Sequence, residues 1–560
     1  MGWRRTLGAF PVHRGAIRPG RRTLSGRCAR ASPLGVRFVH SDSDAILGTL
    51  NALTATATPD APEPVDATLR DPADKPAEAV GGNKRSLLSS AVYSLGFTVQ
   101  RAIGLLLLPV YTSVLSPSEY GTLGLLMSAY VGMGMLFSLA LDTIIVRNYF
   151  QLASDPDERQ RFVDAVWRFL VLFPVGAALV VALVAWPFLG HARYVEPVDV
   201  GLTLLAAAVN AAATSIPLAI LRARQDLRGY LWMTGVLAVG TTGLTLLFVV
   251  ALDQGVRGWF LATLLGNIAL LVTAFVVVPW NRRGRMDWRI VWAAVAFSLP
   301  LLPHSVSHWA LQLADRVVIA GIVTRSDLGI YTLAANLSSV LMMLVMALNQ
   351  GFAPLYAQAG AQSGLEHKLR DTVVLQIALV VALTLGLSLL GPPLVEVMAS
   401  DAFHDSAALV PWLALGYGFL GVYFVPMNGA TLGAGRRQLA WVATAISAAT
   451  NIALLLIFVP KFGLQAAAIS SAVAYFVLLL LLSFWAHAGA NPVTYDWPRI
   501  VPTVALAAGI YALSSVVAEP SNTVVALLVQ GTFFLAFVGL AGGWLFRARL
   551  VSRARRLLSA

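Results

Sequence analysis

Charge is scarce in this chain: Asp, Glu, Lys and Arg make up 12% of 560 residues, against 57% hydrophobic. Soluble domains carry about 25% charged residues, so this composition excludes a water-soluble core and points to a polytopic membrane protein whose core is the bilayer. Cysteine is scarcer still. Cys28 stands alone, which excludes an intramolecular disulfide and any cysteine metal cluster. No phosphate-binding glycine loop, nucleophile elbow or acidic cluster of the glycosyltransferase kind occurs, and the longest external break, near 392–406, is too short for a soluble catalytic domain. A non-enzyme is expected, with no catalytic residue, metal or cofactor. The net charge of +12 would suit nucleic acid only if the basic residues shared one soluble face; they lie instead in short breaks between apolar runs, so nucleic acid is not an expected partner.

Residues 1–40 hold nine arginines and no acid, and 41–83 turn into an Ala/Pro/Asp-rich tract carrying Asp42, Asp44, Asp60, Glu63, Asp66, Asp71, Asp74 and Glu78. Neither half can build a core. The first forty residues have the composition of a transit peptide without the long apolar run of a secretory signal, and 1–83 read as a disordered cytoplasmic tail.

From Lys84 the chain alternates apolar runs with short polar breaks, each run long enough to cross a hydrocarbon core of roughly 30 Å as a helix. Fourteen spans are predicted: 87–112, 120–146, 163–189, 198–221, 231–252, 258–279, 292–323, 328–356, 371–391, 407–432, 439–459, 464–487, 500–518 and 522–546. The fold class is therefore all-α and polytopic. Lys and Arg mark the cytoplasmic side of short loops. Even-numbered breaks carry sixteen (Arg147, Arg159, Arg161, Arg168, Arg222, Arg224, Arg228, Arg282, Arg283, Arg285, Arg289, Lys368, Arg370, Arg436, Arg437, Arg499), odd-numbered breaks four (Arg193, Arg257, Arg325, Lys461). Both termini are expected in the cytoplasm, the C-terminal one ending in the basic tail 547–560.

A shift of 208 residues lays the chain over itself: Ser118-Glu119-Tyr120-Gly121 falls on Ser326-Asp327-Leu328-Gly329, and Asp253-Gln254-Gly255-Val256 on Lys461-Phe462-Gly463-Leu464. The same shift carries Asp142 to Gln350 and places Pro217 one residue from Pro426. A duplicated six-helix lobe is implied, with 84–290 as the first copy, 291–490 as the second and 491–546 as two additional helices. Copies of six helices run the same way through the membrane, so their pseudo-two-fold axis is expected along the membrane normal.

The seventh span is the one on which polar residues concentrate. His304, His308, Gln312 and Asp315 recur at i, i+4, i+8 and i+11, one stripe of one helix, followed by Arg316. A charge at mid-membrane costs about 2.5–3.5 kcal/mol on insertion scales, so such residues face a bundle interior or a wet cavity. The stripe reads as the lining of a central pathway. In the first span Ser90, Ser94 and Arg101 share a face with Gln100 beside them; Arg101 reads either as a cation for an anionic substrate or as the ion-pair partner of Asp315. Asp142 sits near the cytoplasmic end of span two and reads as a gate residue or an interfacial carboxylate. Asn349, Gln350 and Pro354 occupy the corresponding mouth of span eight. Pro217 and Pro426 read as kinks or hinges. His304 and His308 lack a third ligand and read as cavity wall rather than metal site.

The opening Asn83-to-Leu125 segment, with its turn Leu115-Ser116-Pro117-Ser118-Glu119-Tyr120-Gly121, resembles the start of bacterial polysaccharide-export flippases of the multidrug/oligosaccharidyl-lipid/polysaccharide exporter superfamily. Asp315-Arg316, Leu328-Gly329-Ile330-Tyr331 and Phe352-Ala353-Pro354 are similar to that family's seventh and eighth helices, and Gly433 through Asn451, Pro460 and Gly463 to its helices 10–12. The resemblance covers 84–546. It implies a flippase that moves an undecaprenyl-pyrophosphate-linked oligosaccharide from the inner to the outer leaflet of a bacterial plasma membrane by alternating access, supplying cell-surface polysaccharide biosynthesis. The implied partners are the lipid-linked substrate and membrane lipids, with polymerase and glycosyltransferases downstream and upstream; H+ or Na+ coupling stays open. Three rivals stand beside it: a peptidoglycan lipid II flippase, a cation-coupled multidrug antiporter of the same superfamily and, from another class, a polysaccharide polymerase or ligase.

Overall fold

Backbone groups inside hydrocarbon have no water to bond, so apolar runs of this length close their hydrogen bonds internally as helices. The computed structural model describes residues 103–152, 155–189, 195–278, 280, 286–361, 366–432, 440–487, 493–517 and 522–558, and among them every regular element is helical. The tail with Cys28, together with Arg193, Arg282, Arg283, Arg285, Arg436 and Arg437, lies outside the described residues.

In chain order the helices are α1 (Leu108–Val114), α2 (Pro117–Ser138), α3 (Leu141–Gln151), α4 (Pro156–Leu189), α5 (Pro197–Ala223), α6 (Leu227–Ala251), α7 (Gly255–Val277), α8 (Trp288–Ser298), α9 (Leu302–Ala320), α10 (Arg325–Ala361), α11 (Glu366–Met398), α12 (Val410–Leu432), α13 (Ala440–His487), α14 (Trp497–Val516) and α15 (Thr523–Leu558). Twelve stretches of the described residues are long and apolar enough to cross a membrane, where the sequence predicts fourteen runs. The difference has two sources. The short α1 is the end of a run that begins outside the described residues. α13 has 48 residues, and Gly463 (φ 63°, ψ −150°) breaks it near its middle; at 1.5 Å per residue it is about 72 Å long, more than twice a hydrocarbon core.

Two predicted spans are broken. In span two, Leu139 and Ala140 both adopt left-handed φ (49° and 52°), ending α2 and starting α3. In span seven, Leu299–Leu301 form one 3₁₀ turn between α8 and α9; Pro300 and Pro303 withhold the N–H groups an unbroken helix needs there. Conversely, the expected long break near 392–406 is mostly helical, because α11 runs to Met398 and Asp401–Leu409 coil as 3₁₀.

The breaks matter because the pieces pack on different neighbours. α8 packs on α3 and α4, whereas α9 packs on α13 and α2. At the end of the bundle bearing the odd-numbered turns, one apolar core joins residues from both copies, among them Tyr111, Tyr120, Phe260, Ile319, Leu328 and Phe403. At the other end two cores stay apart from each other, the only link from the second copy into the first-copy core among the described residues being α8. One gathers Leu141, Ile145, Trp167, Ile216, Met233 and Ala294; the other gathers Tyr356, Val373, Ile377, Val425 and Ile500. The bundle is thus closed at the odd-turn end and parted at the even-turn end.

At the closed end the repeat is visible as geometry. Ser116 and Glu119 form a reciprocal cap on α2, Ser116 Oγ accepting from Glu119 N–H and Glu119 accepting from Ser116 N–H at 2.9 Å. Thr324 and Asp327, each 208 residues on, repeat it on α10. Gly121 and Gly329 meet across this junction: a Cβ on Gly121 would strike the Arg325 carbonyl, and one on Gly329 the Pro117 carbonyl. Gly255 and Gly463, also 208 apart, both take positive φ (53° and 63°), a conformation open to glycine at little cost.

Candidate functional site

α9 carries His304, His308, Gln312, Asp315 and Arg316 down its length. Around Asp315 and Ile319 this face is packed; at His304, three turns earlier on the same face, it is exposed, with His308 and Gln312 half-buried between. The polar face of α9 thus passes from exposed at His304 to buried at Asp315 within three turns. His308 and Gln312 bond each other, with Gln312 Nε2 3.1 Å from His308 Nε2.

The exposed part of the face ends at a polar network. Asp315 and Arg316 are 5% and 4% exposed. The Asp315 carboxylate accepts from the Arg316 backbone N–H at 2.7 Å, from Arg316 Nη1 at 3.3 Å and from the Tyr331 hydroxyl at 2.5 Å. Tyr331 Oη lies 3.3 Å from Ser471 Oγ on α13. Arg316 Nη2 donates to Asn336 Oδ1 at 3.3 Å, and Asn336 Nδ2 donates to the Tyr120 hydroxyl on α2 at 3.1 Å. A buried ion pair survives desolvation only when further hydrogen bonds satisfy its remaining groups, and these do so. Asn336 itself is exposed. It begins a stripe on α10, Asn336, Met343, Ala347 and Gln350 at i, i+7, i+11 and i+14, whose members are exposed or half-buried. On the facing side Trp309 Nε1 donates to the Ser128 carbonyl at 2.9 Å, and Gly132 has no room for a Cβ beside that indole.

The remaining predicted residues fall as follows. Arg101 and Gln100, with Ser90 and Ser94, lie outside the described residues. Asp142 is half-buried in the first turn of α3, where a carboxylate complements the helix dipole. Gln350 is exposed at the open end, while Asn349 accepts from Asn428 Nδ2 of α12 at 2.7 Å and so ties two helices of the second copy. Pro217 is buried within α5, and Pro426 lies within α12; neither interrupts its helix. Pro354 is exposed inside α10. Among the described residues no three His, Cys, Asp or Glu side chains gather as a metal site.

Sequence reading missed Asn336, Tyr331, Tyr120, Ser471 and Trp309. Asn336 was findable as the one amide in the first half of an apolar run; the tyrosines and serine look like ordinary core. It also missed an apolar groove of about 660 Å³ between α11, α12, α13 and α14, lined by Leu385, Trp412, Phe419, Phe476, Trp497 and Tyr511 among others. From Trp497 to Tyr511 it follows α14 for about 21 Å. Tyr495 stacks on Trp497 at its mouth with ring centroids 5.3 Å apart, and Arg370, Asp496, Arg499 and Asp371 form an ion-pair chain beside it.

Residues 110–408 match the family described as "Polysaccharide biosynthesis protein", just over half of the chain. No curated protein sequence matches. Among solved structures, "Lipid II flippase MurJ, inward closed conformation" is similar over 82% of this chain and 100% of that one, with TM-score 0.60 at 13% identity. An inward-facing multidrug resistance MATE family transporter of the MOP superfamily covers 70% of this chain and 93% of its own, with TM-score 0.56 at 14% identity. A "MATE in complex with MaL6" reaches TM-score 0.51 at 16% identity over 72% of this chain and 95% of that one. At such identities the likeness shows the fold alone: an all-helical, multi-pass membrane architecture.

Proposed function

The chain belongs to the polysaccharide biosynthesis protein family, and from that premise we propose that it flips an undecaprenyl-pyrophosphate-linked oligosaccharide from the cytoplasmic to the outer leaflet of a bacterial plasma membrane. The observation that supports this reading is the polar face of α9 and α10, exposed at His304 and Gln350 and buried at Asp315 and Arg316, which reads as the lining of a cavity between the two copies that is open at one end. The excess of Arg and Lys lies at the open end, so by the positive-inside rule the cavity faces the cytoplasm, where the substrate is made. Sugar hydroxyls and phosphates in bare hydrocarbon would be unsatisfied at several kcal/mol each. His304, His308, Gln312, Asn336 and Gln350 offer them hydrogen-bonding partners instead. Arg147, Arg222, Arg224 and Arg228 are exposed at the even-turn end and attract the pyrophosphate, and Arg101 is a further candidate cation for it. The apolar groove beside α14 takes polyprenyl carbons, keeping them out of the wet cavity. Alternating access then closes the cytoplasmic mouth as the outer end parts.

Deleting the gene and extracting polyprenyl-linked oligosaccharides tests this. Accumulated lipid-linked repeat units, cleared by the wild-type gene and not by Arg101→Ala, are expected. Absence of accumulation, with new sensitivity to cationic drugs, would shift the assignment to a multidrug antiporter. Accumulated lipid II alone would assign peptidoglycan precursor export.

A further inference from the structure

We propose that the closed end is a two-fold latch centred on Gly121 and Gly329, and that Asn336 is the residue through which the cavity releases it. The proposal rests on the alternating-access reading above and adds a residue-level device to it.

The latch is the place where the two copies touch backbone to backbone. Each glycine sits against the first turn of the opposite helix, at the Pro117 and Arg325 carbonyls, so neither α2 nor α10 can turn outward without losing this contact. Both first turns are held by reciprocal caps, Ser116 with Glu119 and Thr324 with Asp327, which keep the helix starts rigid where they meet. Below the crossing, Thr332 of α10 fills the space that a side chain on Gly124 would need. Such a junction has two states, packed or parted, because close-packed backbone deforms little.

Asn336 is placed to choose between them. Its side chain is exposed, yet both of its polar atoms are engaged: Oδ1 accepts from Arg316 within the second copy, and Nδ2 donates across to Tyr120 of the first, one residue before Gly121. The amide carries two Nδ2 protons, one of them on Tyr120; a hydroxyl or phosphate oxygen that takes the other at the cavity roof turns the amide toward itself and off the tyrosine oxygen. The Tyr120 tie is then lost while Arg316 keeps Asp315. Occupancy at the roof thereby weakens the latch from within. A ligand shifts such an equilibrium only through a differential contact with its two states, and the Asn336 amide supplies one.

The test is maleimide labelling of Thr332→Cys, a buried reporter under the crossing, in a Cys28→Ser background reconstituted in liposomes, with undecaprenyl pyrophosphate as the added probe. The background protein labels slowly, and the probe speeds labelling several-fold. Asn336→Ala and Tyr120→Phe each raise the rate about tenfold without the probe and abolish the response to it. Gly134→Ala, on α2 with open space around it, leaves both unchanged. Tyr120→Phe removes a single hydroxyl and decides the matter if Asn336→Ala fails to fold. Unchanged basal labelling in Tyr120→Phe would overturn the latch. Raised basal labelling in the variants with no probe response in the background protein would support the latch and count against the pyrophosphate reading of the substrate.

Discussion

The first turns of α2 and α10 are nearly superimposable in chemistry, and two dozen residues further on the same two helices part company. Ser116, Glu119 and Gly121 have counterparts in Thr324, Asp327 and Gly329, with the same caps and the same glycine contact. Yet α2 breaks at Leu139-Ala140, whereas α10 runs unbroken through Ala347-Leu348 at the same register. The charged pair is equally one-sided. Asp315-Arg316 lies 208 residues after Leu107-Leu108, so the second copy buries an ion pair where the first packs two leucines, Leu108 buried and Leu107 partly so. Closure is built by what the copies share, and the polar chemistry by what they do not.

The largest expected effect comes from copying the first half into the second. Arg316→Leu alone leaves Asp315 buried and unpaired, a loss of about 3–5 kcal/mol, read as a lowered unfolding midpoint in detergent. The double replacement Asp315→Leu/Arg316→Leu should recover most of that loss, since well-packed hydrophobic residues often replace a buried pair neutrally. A double variant as unstable as the single would show that the pair holds the second copy together. Next come the shared glycines. Gly121→Ala and Gly329→Ala each place a Cβ against a carbonyl and should cost about 1–3 kcal/mol as overpacking does. The two losses should agree within about 0.5 kcal/mol if the junction is two-fold, the scatter usual between independent sites; a clear inequality would break the symmetry. Ser116→Ala and Thr324→Ala remove equivalent caps at about 1 kcal/mol each, again matched. The smallest effect has opposite signs in the two copies. Ala140→Gly relieves a left-handed alanine and should stabilise by roughly 0.5–1 kcal/mol, whereas Ala347→Gly loosens a regular helix and should destabilise by about as much. Thermal unfolding of the two variants side by side is the measurement.

Much of this architecture was legible because it is local. Hydropathy over twenty residues decides that a segment crosses hydrocarbon, and a helical period of 3.6 decides that His304, His308 and Gln312 share a face. The break in span seven has its prolines, and Gly255 and Gly463 declare their turns. The break in span two has no such sign: neither Leu139 nor Ala140 is a helix breaker, and the left-handed pair holds because α3 packs on α5 and α8 in the even-end core. Asp315 was legible as a buried charge needing a partner. Its neighbours Arg316 and Tyr331 were not legible as that partner, since the choice turns on how α9 and α10 cross.

By itself, then, the sequence determined an all-helical membrane protein, the side on which its arginines collect, a duplication offset by 208 residues and a polar stripe on the seventh span. Only the tertiary structure decided which end is shut, that Asn336 joins Tyr120 to Arg316, that an apolar groove opens between four helices, and that span two breaks. The physical reason is range. Insertion and helix formation are fixed by neighbours within a few turns, whereas Asn336 and Tyr120 stand 216 residues apart and meet only because two glycines let their helices cross in contact.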